Sequence, residues 1–123
     1  MIRVIVVDDA PHYLKAARAL IDATPGFEWM GESTCGEEAV ELVERMRPEL
    51  VLMDVHMPGL GGIEAARQIT ARAIPTTVIL ITSDEPVDVA ADVTAAPIFA
   101  KHRLKPASLR QLWEDNKGLH HKA

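Results

Sequence analysis

The chain alternates short, nearly continuous apolar runs with longer segments in which apolar residues recur every three or four positions. Three of the runs, IRVIVV, ELVLM and TVILIT, are rich in β-branched residues, as strands buried on both faces of a sheet are. Strand and helix patterns that alternate in this way are typical of an α/β fold with a doubly wound parallel sheet. We therefore predict strands at 2–7, 27–33, 50–54, 77–82 and 97–101, and helices at 11–23, 36–47, 62–73, 86–95 and 106–116.

Local features refine these elements. The second run, FEWMGEST, mixes polar and apolar positions, which predicts a strand at an edge of the sheet. Pro11 and Pro106 suit the first turn of a helix. Thr34, followed three residues later by Glu37, predicts a capping box that opens the second helix. The segment 86–95 has the weakest helical pattern, because it is short and rich in Val and Thr.

Length and composition favour a single ordinary globular domain. The chain has 123 residues, of which 48% are hydrophobic and 25% charged, and this suits one domain with one sizeable core. We predict that the domain covers residues 1–118 and that residues 119–123 form a flexible tail. The net charge of -5 argues against direct nucleic-acid binding, which needs a basic face.

The cysteine content and the distribution of apolar residues indicate the cellular location. Cys35 is the one cysteine, which excludes an intrachain disulfide and fits a reducing compartment. No run approaches the roughly 20 apolar residues that cross a membrane, and the start of the chain lacks the order of a secretory signal peptide. We therefore expect a cytoplasmic protein that does not contact membranes.

Three aspartates follow two of the apolar strands. Asp8 and Asp9 come directly after the first strand, and Asp54 ends the third. Ligands of open parallel sheets bind beyond the carboxyl ends of the strands, so these carboxylates converge if the two strands are neighbours. Such crowding is unfavourable without a cation or a proton, and all-oxygen ligands suit Mg²⁺. The first hypothesis is therefore a metal-assisted phosphoryl site.

These residues also match a known family. Asp8–Asp9, Asp54 within DVHMPG, Thr82 after VILI and Lys101 after PIFA resemble the receiver domain of bacterial two-component response regulators. The resemblance covers nearly the whole chain, with five strands and five helices in order. It implies a flavodoxin-like (βα)5 fold with strand order 2-1-3-4-5, which places the first and third strands side by side.

The resemblance implies a role for each acidic residue. Asp54 is the expected phosphoacceptor, whose carboxylate attacks a phosphoryl group. Asp9 is expected to bind Mg²⁺, or Mn²⁺, directly and Asp8 mainly through water, with the backbone carbonyl of His56 as a further ligand. Side chains at His56 and Asp84 are expected to tune hydrolysis of the phosphorylated form.

The resemblance also implies roles for two residues at later strand ends. Lys101 is expected to pair with Asp54 and then with the phosphoryl group, a task that suits a flexible ammonium. Thr82 is expected to be the switch residue, whose hydroxyl donates to a phosphoryl oxygen and draws the following loop inward.

The function implied is that of a phosphoacceptor signalling domain rather than an enzyme acting on a separate substrate. The expected partners are a sensor histidine kinase or a histidine phosphotransfer protein, together with an unidentified downstream protein or output domain. The predicted helix at 86–95, the fifth strand and the last helix form the surface expected to switch. Family members often form homodimers through the same surface. Length favours neither a stand-alone receiver nor a fragment of a longer regulator.

Two features depart from the family pattern. Receivers usually carry Phe or Tyr three residues before the lysine, where this chain has Ile98, and Phe99 is predicted to lie on the opposite face of the strand. Lys101 follows Thr82 by 19 positions, which is short for the family. Lys105, which precedes Pro106, is therefore a rival for the active-site lysine. Lys101 aligns better with the apolar positions that open the last helix.

Three other functions are compatible with parts of the sequence pattern. A haloacid-dehalogenase-like phosphatase also forms an aspartyl phosphate, but it requires a second Asp where this chain has His56. A flavin-binding domain requires a Ser, Thr and Gly-rich phosphate loop after the first strand, and that loop is absent from the sequence. A degenerate receiver that binds partners without phosphorylation remains the main alternative.

Overall fold

The computed structural model describes residues 1–83 and 96–117, and these residues form one parallel sheet covered by helices on both faces. The strands are β1 (Ile2–Val7), β2 (Phe27–Ser33), β3 (Leu50–Asp54), β4 (Thr77–Thr82) and β5 (Ile98–Ala100). The helices are α1 (Pro11–Asp22), α2 (Gly36–Met46), α3 (Gly62–Ala71), a 3₁₀ turn (Lys101–Arg103) and α4 (Pro106–Asn116). The predicted helix at 86–95, Asp84 and the predicted tail at 119–123 lie outside the described residues.

The strand order is β2-β1-β3-β4-β5, which confirms the predicted flavodoxin-like topology. β1 and β3 run side by side, from Val4 opposite Leu50 to Val7 opposite Met53. β2 lies at one edge, as its mixed pattern predicted, and its register with β1 shifts between Val4 and Ile5. The adjacency of β1 and β3 is the condition under which the three aspartates converge.

The core has two layers, one on each face of the sheet. Alternate residues of each strand point to opposite faces, so Ile5 and Val7 pack with α2 and α3, whereas Val4 and Val6 pack with α1 and α4. Every residue of β3 is buried, which explains its continuous apolar sequence. Packing on both faces of the sheet therefore positions the polar residues at the carboxyl ends of the buried strands.

α2 begins at Gly36, as predicted, but the predicted Thr34–Glu37 capping box is wrong. Cys35, not Thr34, is the residue that precedes the helix, and no side chain caps it. Glu37 faces the loop after β3 instead, where its Oε1 atom lies 3.4 Å from the backbone N–H of Leu60 that donates to it. The backbone N–H of Cys35 donates to Ser33 Oγ at 3.4 Å. The capping box does not form because Cys35 occupies the cap position and the glutamate has a tertiary partner.

Both prolines lie at the first helical position, as predicted. β5 is shorter than predicted, because the chain turns into a 3₁₀ turn at Lys101 in which the backbone N–H of Leu104 donates to the Lys101 carbonyl at 3.1 Å. This turn places Lys101 just past the carboxyl end of β5.

Candidate functional site

The three predicted aspartates meet at the carboxyl edge of the sheet. Asp54 ends β3 and Asp8 follows β1, and since these strands are neighbours their carboxylates face one crevice. One carboxylate oxygen from each of Asp8, Asp9 and Asp54 lies within 4.8 Å of the others. Asp8 and Asp54 are buried and Asp9 is exposed. Of these three acids, two are therefore buried and one is open to solvent.

Backbone contacts hold Asp8 in place. Its own N–H donates to the Ser33 carbonyl at 3.0 Å, and its Oδ1 accepts a hydrogen bond from the Ala10 N–H at 2.8 Å. Its Oδ2 is buried and makes no hydrogen bond of standard geometry with the described residues. Lys101 Nζ nevertheless lies 2.5 Å from this oxygen, so an ion pair with the lysine compensates the negative charge on Asp8 Oδ2.

The Lys101 ammonium lies between two of the carboxylates. Its distance to Asp54 Oδ1 is 3.5 Å, and its side chain is 15% exposed. Lys105 is exposed at the start of α4, where its backbone N–H donates to Ser108 Oγ at 2.8 Å. The structure thus brings Lys101, and not its rival Lys105, to the aspartates.

Burial raises the pKa of Asp54 above its ordinary value, and the nearby Asp8 charge adds to the effect. The Lys101 ammonium and the backbone N–H of His56, which lies 3.4 Å from Asp54 Oδ1, act in the opposite direction. The ionised form of Asp54 is therefore less favourable in the folded protein than in water. A further positive charge at this edge would favour the ionised form.

The aspartates fit a hard divalent cation. One oxygen from each carboxylate lies within 4.8 Å of the other two, and two oxygens bound to one Mg²⁺ are at most about 4 Å apart because each Mg–O bond is about 2.1 Å, so small side-chain movements would bring all three to one ion. All three donors are carboxylate oxygens, which suit Mg²⁺ or Mn²⁺. Among the described residues, the Lys101 ammonium is the cation that contacts the buried carboxylates of Asp8 and Asp54, so a divalent cation would offset the negative charge that remains.

The structure places Thr82 at the same edge. Thr82 ends β4, is fully buried, and pairs in register with Ala100 of β5. Its neighbour Ile81 pairs with Asp54, and the Ile81 carbonyl accepts a hydrogen bond from the N–H of Val55 at 2.9 Å. The threonine thus lies one residue beyond the level of the predicted phosphoacceptor on the adjacent strand.

The loop after β3 is shaped by close packing. A Cβ atom on Gly62 would lie 2.1 Å from the Asp54 carbonyl oxygen, so this position needs a glycine for space rather than for its φ angle. The positive φ in this loop, +73°, belongs to Gly59. His56 is exposed and Met57 is buried in the core. The loop therefore places the His56 side chain toward solvent beside the carboxylates.

One residue at this site was not anticipated from the sequence. The Tyr13 ring, in the first turn of α1, has Lys101 Nζ 4.5 Å from its centroid. Burial, together with the charges of Asp8 and Asp54, raises the pKa of the Tyr13 phenol to about 12. The available clue was position, since an aromatic residue just after the Asp8–Asp9 pair begins a helix at the same edge of the sheet.

A family model describing the response regulator receiver domain matches residues 4–114. The chain belongs to this family.

Related proteins include larger regulators and separate receiver domains. The chain is 37% identical over 82 residues to a protein-glutamate methylesterase/protein-glutamine glutaminase of Alkalilimnicola ehrlichii, covering 67% of the chain and 21% of that protein. It is 35% identical over 82 residues to the response regulator GacA of Pseudomonas aeruginosa, covering 67% of the chain and 38% of that protein. The chain therefore spans between a fifth and two fifths of the length of these relatives.

A solved structure supports the same assignment. The signal receiver domain of a NarL protein from Mycobacterium tuberculosis superimposes with a TM-score of 0.82 at 29% identity, covering 93% of this chain and 94% of that one. Among the described residues of this receiver, no helix is long and apolar enough to cross a membrane.

Ile98 and Phe99 of β5 lie on opposite faces of the sheet, as the sequence predicted. Ile98 packs against the layer under α2 and α3, whereas Phe99 packs against the layer under α1 and α4. The Arg103 guanidinium lies 5.6 Å from the Phe99 ring centroid. The aromatic residue of β5 is therefore on the sheet face opposite to Ile98.

Proposed function

We propose that this receiver accepts a phosphoryl group on Asp54 from a histidine kinase or a histidine phosphotransfer protein, and that the modification switches a protein-interaction surface. The observation that carries the proposal is the Lys101 ammonium placed between the carboxylates of Asp8 and Asp54 at the carboxyl edge of the sheet. This arrangement joins a nucleophile to a cation that can follow the transferred charge.

The chemistry assigns one task to each residue. The Asp54 carboxylate attacks phosphorus, an O–P bond forms, and the P–N bond of the donor phosphohistidine breaks with its electron pair left on the imidazole. Lys101 then contacts the phosphoryl oxygens and partly neutralises their charge. Thr82 donates its hydroxyl to one of these oxygens, which draws the loop after β4 toward the site.

The proposed metal site would hold Mg²⁺ or Mn²⁺. Asp9 would bind the ion directly and Asp8 mainly through water. The Asp54 carboxylate and the backbone carbonyl of His56 would complete the set of protein ligands. A cation held there would offset the combined negative charge of the acids and the phosphoryl group. Side chains at His56 and Asp84 would border a water that attacks the acyl phosphate, so we assign them to control of phosphoryl lifetime.

The receiver is proposed to act as a phosphoacceptor and not as an enzyme with a separate substrate. Its output is proposed to pass through the surface of the predicted helix at 86–95, β5 and α4, by contact with a downstream protein, an output domain or a second copy in a homodimer. The net charge of -5 argues against direct nucleic-acid contact by this chain, and we propose a cytoplasmic location.

The test is intact mass after incubation with acetyl phosphate, with and without Mg²⁺, for the native chain and Asp54→Asn. We expect a Mg²⁺-dependent gain of one phosphoryl group that is absent from the variant. If the small donor fails, a phosphorylated histidine kinase is the second donor. Failure of both donors would overturn the proposal in favour of a phosphorylation-independent interaction module.

A matched pair of lysine variants tests the site assignment. Lys101→Met is expected to slow phosphoryl acceptance by at least about tenfold, because removal of one charge-stabilising donor has effects of that order or more. Lys105→Met, which changes an exposed lysine four residues away, is expected to leave the rate within about twofold of the native rate. The reverse ranking would assign Lys105 to the site.

A further inference from the structure

Among the residues that the structure describes, the Lys101 ammonium contacts two carboxylates and one aromatic ring. Asp8 Oδ2 lies at 2.5 Å and Asp54 Oδ1 at 3.5 Å, and both carry negative charge. The third neighbour is the face of the Tyr13 ring, with its centroid 4.5 Å from Nζ. This distance is within the range of a cation–π interaction, which strengthens when the cation is removed from water. Lys101 is 15% exposed, so the contact is largely shielded.

The two carboxylates are not constant partners for the ammonium. In the proposed chemistry Asp8 contributes to binding a divalent cation and Asp54 becomes an acyl phosphate, so each has a competing use. The Tyr13 ring has no such use, because a neutral ring does not bind Mg²⁺ and does not accept the phosphoryl group. Its phenol stays neutral at physiological pH, since its pKa is raised to about 12.

The Tyr13 ring is also better fixed than the lysine. Tyr13 lies in the first turn of α1, directly after Pro11, and its backbone N–H donates to the Ala10 carbonyl at 3.0 Å. The ring packs against the apolar layer between α1, α4 and the sheet. Lys101 reaches the site on a flexible four-carbon stem from a short turn. A fixed ring face can therefore restrict a mobile ammonium.

We propose that Tyr13 is a positioning residue whose ring keeps the Lys101 ammonium inside the site while Asp8 exchanges it for a divalent cation. The inference rests on the proposed function for its consequence, because retention of the ammonium prepares it to meet the incoming phosphoryl group. The contact itself is a property of the unphosphorylated protein.

The direct test observes the ammonium without any phosphoryl donor. In protein labelled with ¹⁵N-lysine, the Lys101 ammonium resonance is assigned by its loss in Lys101→Arg, and its proton exchange with water is measured during titration with Mg²⁺ alone. At saturating Mg²⁺ we expect slow exchange in the native chain and in Tyr13→Phe. In Tyr13→Leu we expect exchange about three- to thirtyfold faster, in line with the usual strength of a shielded cation–π contact. Equally slow exchange in Tyr13→Leu would overturn the proposal.

A second measurement avoids any dependence on how Tyr13→Leu folds. Site-specific incorporation of 3,5-difluorophenylalanine at position 13 changes this ring alone, weakens its attraction for cations while nearly preserving its shape, and introduces no ionisable hydroxyl. Ammonium exchange in Mg²⁺ is expected to lie between that of the native chain and that of an unprotected lysine. Exchange unchanged by fluorination would count against the ring face as the cause.

A matched control comes from a second cation–π pair. Arg18 lies 5.4 Å from the Trp29 ring centroid, and Trp29 pairs with Val4, four positions before Asp8. Trp29→Leu removes an aromatic ring of this kind away from the carboxylates, and we expect it to leave Lys101 exchange unchanged. An effect as large as that of Tyr13→Leu would show that loss of an aromatic ring destabilises the fold in general, and that Tyr13 does not position Lys101 specifically.

Phosphorylation kinetics complete the test. With acetyl phosphate and Mg²⁺ we expect Tyr13→Leu to be phosphorylated about three- to thirtyfold more slowly than the native chain, and Tyr13→Phe to restore the native rate. If the native chain accepts no phosphoryl group, the proposed function fails while the Mg²⁺ titration still decides the role of Tyr13. If phosphorylation is normal in Tyr13→Leu, the positioning role fails while the proposed function stands.

Discussion

The pKa of Asp54 is shifted in opposite directions by its surroundings. Its side chain is 7% exposed, and Asp8 shares the same crevice. Burial and the Asp8 charge raise its pKa, although Lys101 acts against them. The proposed reaction requires an ionised Asp54, a form that the folded protein makes costly in the absence of a bound cation.

Replacement of Asp54 should therefore stabilise the cation-free protein. Because the folded-state pKa of Asp54 lies above its ordinary value of 3.8, its ionised form disfavours folding at neutral pH, and this penalty disappears as the pH falls below 3.8. We expect Asp54→Asn to raise the free energy of unfolding at pH 7 in EDTA, with the gain shrinking toward acid pH. Urea denaturation across this pH range measures the difference.

Asp22→Asn is the control for this prediction. Asp22 lies on the surface of α1, 4.0 Å from Arg18, and an exposed pair of this kind contributes about 0–1 kcal/mol. Its loss should lower stability slightly or leave it unchanged. A loss of stability in Asp54→Asn at pH 7 would contradict the assigned direction of the Asp54 pKa.

Tyr13 provides a second titration that can be read without interference from other tyrosines. The absorbance of tyrosinate should appear with a midpoint at about pH 12, not at about 10 as in an exposed tyrosine. Since the folded-state pKa is raised, the stability gained from neutral Tyr13 is complete below pH 10 and is lost as the pH rises toward 12. Asp8→Asn should lower the Tyr13 pKa by removing one negative charge. Ionisation of native Tyr13 near pH 10 would contradict its burial.

At the scale of elements, the site depends on how closely α3 and the loop before it approach β3. The backbone N–H of Gly62 donates to the Val55 carbonyl at 3.1 Å, and the Gly62 Cα faces the Asp54 carbonyl. Gly36 at the start of α2 is similarly restricted, because a Cβ there would lie 2.3 Å from the Leu60 carbonyl oxygen. These two glycines allow helices to begin against the loop that follows Asp54.

Gly62→Ala should therefore be strongly unfavourable. The added Cβ would meet backbone atoms of Asp54 at 2.1 and 2.9 Å, and backbone shifts of this kind cost about 1–3 kcal/mol or more. Gly31→Ala in β2 is the matched control, because its nearest contact would be Met46 Sδ at an ordinary 3.9 Å. We expect the control to be neutral or to stabilise by up to about 1 kcal/mol. Thermal unfolding compares the two, and equal effects would contradict the packing argument.

At the scale of the whole molecule, the sheet joins two apolar layers to one polar edge. β1 and β3 lie in the middle of the sheet and contribute side chains to both layers, so their carboxyl ends are held from both faces. A cation bound at that edge should consequently stabilise the entire fold and not the loops alone.

The predicted consequence is a rise in melting temperature with Mg²⁺. At a concentration ten times the dissociation constant, ligand binding adds about 1.4 kcal/mol, which for a chain of this size corresponds to about 5 °C. Calorimetry in Mg²⁺ against NaCl of equal ionic strength measures the shift. Asp9→Asn is the informative variant, because Asp9 is exposed and its loss should spare the core. A native-like shift in Asp9→Asn would exclude Asp9 as a ligand.

The sequence by itself determined the elements and the chemistry of the sheet edge. Strands buried on both faces must be apolar almost throughout, so β1, β3 and β4 were predicted from their apolar runs, and Asp8, Asp9 and Asp54 stood out as acidic residues at the ends of β1 and β3. Thr82 was singled out only through the family resemblance. The edge position of β2 followed from its mixed pattern for the same physical reason.

Tertiary structure decided which residues meet. The choice between Lys101 and Lys105 depended on a 3₁₀ turn after β5, which local sequence does not fix. Glu37 left its predicted capping role because a loop distant in sequence supplied another partner. Tyr13 became part of the site only when α1 and β5 were brought to the same edge of the sheet. Each outcome depends on contacts between distant segments, and local patterns of polarity do not encode such contacts.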